Sequence, residues 1–225
     1  MKIINNILLV IGVFILSSCE KEWKKPTDVT FSGQLNDTGN SLIKFTSAHL
    51  TINTLSFNGE RKEGQTSVAL QQAFANSYTL NFYPAAQALG IKFNVPQGTY
   101  TKIELDLSSI QVVDSLLICG YYLKEDSKDT AHIKLKFSGN NVVKILAKLS
   151  NGNSEISLVE GHPLNANIII NPGYWVAPVT KDMLEGADGE GDDDHDKTVE
   201  ISEKKNTAIY NLMKIGIGDG YQAVF

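Results

Sequence analysis

The most chemically suggestive residues of this chain are carboxylates that repeat near its C-terminal end. They are Asp192, Asp194, Asp196, Glu200 and Glu203. Hard cations such as Ca²⁺ prefer about six to eight oxygen ligands, and carboxylates at alternate positions of a flexible loop supply several of them. These five residues are therefore the candidate metal ligands, and a weakly bound Ca²⁺ is the only cofactor that the sequence suggests.

The spacing of these carboxylates resembles the calcium-binding loop of EF-hand proteins only in part. Counted from Asp192, the other four fall at positions 3, 5, 9 and 12 of that loop, but position 6, where the EF-hand turns on glycine, is Lys197. The alternative is a solvated acidic loop over residues 186–200, whose like charges keep it from packing. Both interpretations stay open, and the first would make the protein a calcium-dependent adhesin.

Few residues are arranged for catalysis. The four histidines, at positions 49, 132, 162 and 195, lie far apart and form no short metal-ligand spacing. The sequence contains neither a G-x-S-x-G elbow nor an H-E-x-x-H motif. Cys119 lies in the most apolar segment, which favours a buried, inert thiol. We therefore expect a protein that is not an enzyme, and we predict no catalytic residue.

Two alternative functions depend on how the chain folds. Glu104, Asp106 and Asp114 would support a hydrolase if two of these carboxylates faced each other in a deep pocket. Tyr174 and Trp175 would support a glycan-binding module if both rings were exposed near a loop. An aromatic pair that follows a buried strand more often fills the core, so we favour that role for these two residues.

The N-terminal segment combines a charged start, a short apolar stretch and small residues before a cysteine. Lys2 precedes the apolar residues 7–16, and Leu16-Ser17-Ser18-Cys19 closes the segment. The stretch is shorter than the ~20 apolar residues of a transmembrane helix, and its three parts are those of a secretory signal. The closing residues resemble the lipobox, the cleavage site of bacterial lipoproteins.

This resemblance implies a signal peptide over residues 1–18 and lipidation of Cys19, whose several acyl chains would hold the protein stably at a membrane. Residues 19–27 are similar to the charged tether behind the lipid cysteine of Bacteroidota lipoproteins. The later segments 95–100 and 171–175 add a similarity to uncharacterised lipoproteins of that group with a predicted β-sandwich. The family implies an outer-membrane location, periplasmic or surface-exposed, and brings no known activity.

Composition limits the partners and the fold. The formal net charge is −5, and no basic stripe is present, which argues against nucleic acid as a partner. Once Cys19 carries lipid, Cys119 is the one cysteine left, so no internal disulfide can form. The remaining chain is long enough to fold through a packed core, and we expect a single domain over residues 28–225.

Period-two alternation of apolar residues, interrupted by Gly, Asn, Asp and Pro, predicts about ten strands. The alternation changes phase between Ile52 and Leu55, which predicts a β-bulge near Thr54. The continuous apolar run 116–123 predicts a central strand that is covered on both faces. The spacing is typical of an all-β fold, an antiparallel β-sandwich of the immunoglobulin-like or transthyretin-like kind.

The C-terminal quarter predicts one or two short helices. Thr180 is suited to cap a helix through about Glu185, and Ser202 a second helix over about 203–215 that Gly216 ends. The last five residues are apolar enough to dock as a strand. We expect a lipid-anchored, non-enzymatic binding or structural module, an accessory of a surface complex that meets a protein or glycan through an edge strand or loop tip.

Overall fold

The computed structural model describes residues 25–38, 42–63, 67–110, 114–123, 130–139, 141–191 and 197–225. Within these ranges the chain is mostly β, as predicted, with thirteen strands and three short helices. No helix of the described ranges is both long and apolar enough to cross a membrane. The elements are β1 (Pro26–Leu35), β2 (Ile43–Arg61), β3 (Ser67–Phe82), β4 (Gln87–Pro96), β5 (Gly98–Ser109), β6 (Leu116–Leu123), β7 (Thr130–Phe137), β8 (Asn141–Lys148), β9 (Ile156–Leu158), β10 (Leu164–Ile170), α1 (Gly173–Val176), α2 (Lys181–Glu185), β11 (Gly189–Glu190), β12 (Thr198–Ile201), α3 (Thr207–Ile215) and β13 (Tyr221–Val224).

The strands form one large curled sheet, not the two sheets of the predicted sandwich. Their order is β11-β12-β7-β6-β2-β5-β8-β13-β10-β1-β4, with β3 paired to β2 and β9 paired to β5. The pairs β1–β10, β12–β7 and β13–β8 are parallel, so the sheet is mixed and the prediction of a purely antiparallel fold was wrong. Turn signals reveal hairpins between neighbours in sequence, whereas parallel partners are joined by long connections that leave no local signal.

The long strand β2 connects two parts of this sheet. Its residues 43–50 pair with β6, and its residues 54–61 pair with β5. The register against β3 shifts between Ile52 and Thr54, which confirms the predicted bulge. Ile52 and Leu55 are both fully buried although they are an odd number of residues apart. The bulge therefore lets both halves of β2 present their apolar side chains to the same core.

The core lies inside the curl. Phe57 of β2 lies 6.4 Å from Phe93 of β4 and 5.9 Å from Tyr100 of β5, between ring centroids. Since β2 and β4 are not paired with each other among the described strands, the contact between Phe57 and Phe93 crosses the interior. Phe31 of β1 meets Phe93 edge to face at 5.9 Å. The aromatic cluster thus packs the β1–β4 end of the curled sheet against its middle strands β2 and β5.

Strand β6 is central, as predicted, because it pairs with both β2 and β7. Its inner side chains, such as Ile118, are buried, but the outer ones are not: Leu117 and Cys119 are half-buried and Tyr121 is 37% exposed. The prediction of a strand covered on both faces, with a buried thiol, was therefore wrong. A run of apolar residues records hydrophobicity, and it does not show whether a second layer of structure covers the outer face.

The C-terminal elements follow the predicted signals closely. Thr180 caps α2, and its hydroxyl oxygen accepts a hydrogen bond from the Met183 amide at 3.4 Å. Helix α3 ends at Gly216 as predicted but begins at Thr207, not near residue 203. Ser202 accepts hydrogen bonds from the amides of residues 204 and 205, which forms a turn in place of a helical start. The last residues dock as β13 between β10 and β8.

Candidate functional site

Two of the five predicted calcium ligands lie in the described part of the chain. Glu200 belongs to β12 and Glu203 to the turn that follows it, whereas Asp192, Asp194 and Asp196 lie outside the described residues. Glu200 and Glu203 share a charged cavity of about 350 Å³. The residues that line it are Asp114, Lys136, Ser138, Glu200, Ser202, Glu203 and Lys204.

An ion pair dominates this charged cavity. The Lys136 ammonium lies 2.6 Å from a carboxylate oxygen of Glu200. This hydrogen bond raises the pKa of Lys136 and lowers the pKa of Glu200. Among the described residues no group of three or more His, Cys, Asp or Glu side chains is arranged to hold a metal ion. Calcium binding therefore stays a prediction, and it depends on the acidic residues at 192–196.

The carboxylates of the hydrolase alternative do not face one another. Glu104 lies on the outer side of β5 between Lys102 and Lys144, whose ammonium groups are 3.6 and 3.5 Å away. Asp106, two residues further along the same side of β5, accepts a hydrogen bond of 3.0 Å from an asparagine amide of β2. Asp114 accepts one of 2.8 Å from the Ser138 hydroxyl in the charged cavity. The deep pocket that the alternative requires is not formed by these three residues.

The aromatic pair at the start of α1 is divided between core and solvent. Trp175 is fully buried, with its indole 6.1 Å from the Phe137 ring and 5.4 Å from the Tyr221 ring, whereas Tyr174 is 54% exposed. Trp175 thus fills the core, as favoured from the sequence. A single exposed tyrosine does not form the aromatic platform that a glycan-binding pair would provide.

A small apolar cavity of about 300 Å³ lies where β2 passes from β6 to β5. Burial in this region raises the pKa of the Tyr221 hydroxyl. The volume is at the lower end of the ~300–1,000 Å³ of ligand pockets. The lining residues are Leu50, Leu116, Val142, Val143, Lys144, Ile217, Gly218 and Tyr221.

The most distinctive surface is the free edge of β3. This strand of 16 residues pairs with β2 along one edge, and no other described strand pairs with it. It contains no Asp, Glu, Lys, Arg, Pro or Gly, although charged residues make up 20% of the chain. Natural edge strands are usually short or protected by charges, prolines or bulges, because unpaired N–H and C=O groups invite another strand. Strand β3 is long and lacks the charges and prolines.

The open part of this edge is the segment Ser67–Ala73, which we call the β3 edge segment. It pairs in regular register with residues 54–60 of β2. Beyond it the strand is irregular, since Ser77 has a φ of 59° and the Phe74 and Tyr78 rings stack at 4.9 Å. The Tyr78 hydroxyl donates a hydrogen bond of 2.8 Å to the Leu89 carbonyl of β4. One end of β3 is thus tied to β4, and the β3 edge segment is the part open to another strand.

The sequence reasoning missed this edge. It identified a strand only near residues 78–82, because Gln72 interrupts the apolar alternation of Val68, Leu70 and Phe74. The signal that could have revealed it is the uncharged stretch itself. Even so, an uncharged strand indicates an open edge only when its neighbours in the sheet are known.

No family model, curated protein or solved structure matches this chain. The choice among the candidate surfaces therefore depends on their own chemistry. The charged cavity holds a Lys136–Glu200 ion pair, and the apolar cavity is small. The β3 edge segment alone presents backbone hydrogen-bonding groups without the protection that edge strands normally carry.

Proposed function

We propose that the protein is a lipid-anchored lipoprotein of the bacterial cell envelope that acts as a non-enzymatic binding or structural module. Residues 16–19 support the anchor through their resemblance to a lipobox. The observation that supports the binding role is the uncharged β3 edge segment, which pairs with β2 and with no other described strand. In this proposal the module binds an extended segment of a protein partner by strand addition.

Strand addition suits the chemistry of the β3 edge segment. Backbone N–H and C=O groups along a free edge can form a ladder with an added strand, and each hydrogen bond contributes about 0.5–1.5 kcal/mol net. Leu70 is only partly buried at the side of the core. An added strand would cover its apolar surface, which adds a hydrophobic contribution of roughly 25 cal/mol per Å² buried.

A binding role is also consistent with the charge pairing in the described part of the chain. Glu104 is paired with two lysines, and Glu200 is paired with Lys136. Paired with lysines in this way, these carboxylates do not face each other across a substrate site, as the two carboxylates of a hydrolase must. This supports the choice of a binding module over the hydrolase alternative.

The proposed anchor would keep the domain close to the membrane. Strand β1 begins at Pro26, seven residues after Cys19, and a fully extended chain spans at most about 3.6 Å per residue. The start of β1 would therefore lie within about 25 Å of the lipidated cysteine. Lys25 pairs with Glu160 at 3.1 Å, so the loop before β10 would face the same side.

Photocrosslinking in intact cells tests this function. The photoreactive residue p-benzoylphenylalanine replaces Gln71 in the β3 edge segment or, as a matched control, Leu146, which is 56% exposed on the doubly paired strand β8. We expect protein adducts from position 71 and none from position 146. Equal yields at the two positions, or none at position 71, would contradict the binding role.

The anchor is tested separately by Cys19→Ala. This change removes the sulfur that would carry the lipid, so we expect the protein to move from the membrane fraction to the soluble fraction and to lose labelling by radioactive fatty acid. Retention in the membrane fraction together with the label would contradict lipidation at Cys19. Cys119→Ala serves as the control, because the lipobox precedes only Cys19.

A further inference from the structure

We propose that the β3 edge segment binds the same segment of a second copy of this chain, antiparallel and across a twofold axis. The inference rests on the proposed function, since it names the partner of that same surface. It would join the curled sheets of two copies into one continuous sheet through β3. The strand at the centre of such a sheet would have no unprotected edge.

The absence of charge favours pairing between two identical segments. In an interface with twofold symmetry the same surface patch occurs on both sides, so each charge near the axis lies close to its own copy. Like charges directly opposite each other destabilise a strand pair. At the average charge content of the chain, 20%, the 16 residues of β3 would hold about three charged residues, and they hold none.

The side chains of the β3 edge segment are self-complementary when the pairing is centred on Leu70. The two copies of Leu70 then lie opposite each other, and each Val68 lies opposite the Gln72 of the other copy, all on the inner face. On the outer face Ala69 lies opposite Gln71. Only neutral side chains meet, and the second copy covers the side of the partly buried Leu70 that faces away from β2.

A second copy is favoured over an unrelated protein segment by the same chemistry. Strand-addition sites that choose a foreign partner use pockets or charges for alternate side chains of that partner. The outer face of the β3 edge segment presents only Ala69, Gln71 and Ala73, besides the terminal Ser67. A surface without charge or large side chains accepts another uncharged strand, and each copy of the chain carries one.

Sedimentation of the full chain in detergent tests the pairing. The wild type is expected to sediment as a dimer. The double variants A69K/Q71K and A69E/Q71E place like charges across the axis, and each alone is expected to fall to half of that protein mass. An equal mixture of the two variants is expected to recover the dimer mass, because opposite charges then face each other. The control L146K puts a charge on β8 and should stay dimeric.

Other results would overturn the inference in distinct ways. A monomeric wild type, charge variants that stay dimeric, or a mixture that fails to recover the dimer would each exclude antiparallel self-pairing. Far-ultraviolet circular dichroism of the variants checks that they are folded, as expected for exposed positions. A monomeric wild type with photocrosslinks from position 71 to another protein would contradict self-pairing and leave the proposed function unchanged. A monomeric wild type that gave no adduct from position 71 would contradict both self-pairing and the proposed function.

Discussion

Gly220 precedes β13 and lies directly against the buried indole of Trp175. A Cβ atom at this position would be 2.4 Å from the indole nitrogen and 2.7 Å from the Asn171 carbonyl oxygen. The Gly220 carbonyl also accepts a hydrogen bond of 2.7 Å from the Asn171 amide. We therefore expect the methyl group added by Gly220→Ala to clash with a buried ring and with a backbone carbonyl at the same time.

The magnitude follows from these contacts. Overpacking a well-packed core costs about 1–3 kcal/mol, and disturbing one backbone hydrogen bond costs about 1 kcal/mol more. We expect Gly220→Ala to lower the free energy of unfolding by about 3 kcal/mol. For a domain of this size each kcal/mol shifts the Tm by roughly 2–4 °C, so the Tm should fall by roughly 6–12 °C.

Gly218→Ala is the matched control, because it makes the same change in the same loop. Nothing lies within 4 Å of a Cβ added at Gly218. The substitution should be neutral or stabilise by up to ~1 kcal/mol through the lower entropy of the unfolded chain. Thermal unfolding of both full-length variants, followed by circular dichroism, measures the change in stability that each substitution causes. A loss below about 0.5 kcal/mol in Gly220→Ala, or an equal loss in Gly218→Ala, would contradict the predicted clash at Gly220.

Three further predictions concern the described core and the charged cavity. Lys136→Met should lower the free energy of unfolding by about 1 kcal/mol at neutral pH. Because the pKa of Glu200 is lowered in the folded protein, the ion pair stabilises the fold at pH values above the pKa of an unfolded Glu. In urea unfolding, the difference in stability between wild type and variant should therefore shrink as the pH falls through the folded pKa of Glu200. A difference that is constant with pH would contradict this role. Burial raises the pKa of Tyr100 to about 12. The neutral phenol therefore contributes stability that is complete below the pKa of an unfolded Tyr and is lost as the pH rises through about 12. In ultraviolet titration Tyr100→Phe should remove one phenol that ionises late, and an unchanged late phase would contradict the assignment. Gly120→Ala should lower the Tm, because its Cβ would be 2.5 Å from a backbone carbonyl of β2, and an unchanged melting curve would contradict that close approach.

Several local features were predictable because neighbouring residues determine them. The bulge near Thr54 follows from a change of phase in apolar residues that must all reach one core. The cap at Thr180 and the helix end at Gly216 follow from hydrogen-bonding and conformational preferences of single residues. The start of α3 was placed too early because the Ser202 hydroxyl serves a turn equally well.

The candidate site was predictable only in fragments. Glu200 was identified from its spacing as a metal ligand, yet its partner in the structure is Lys136, 64 residues earlier in the chain. Parallel pairing of β12 with β7 brings the two side chains together. Such a pairing depends on which strand edges are available when the sheet assembles, and no local pattern records it.

Apolar alternation indicated the core-facing side chains of most strands, though not of the β3 edge segment, and residues 16–19 predicted a lipid anchor at Cys19. The neighbours of each strand and the open edge of β3 become apparent only in the assembled sheet of the described residues. Alternation of apolar residues specifies which face of a strand is buried, whereas the neighbour of a strand is set by backbone hydrogen bonds that every residue type except proline can form. The edge of β3 is therefore a property of the whole sheet.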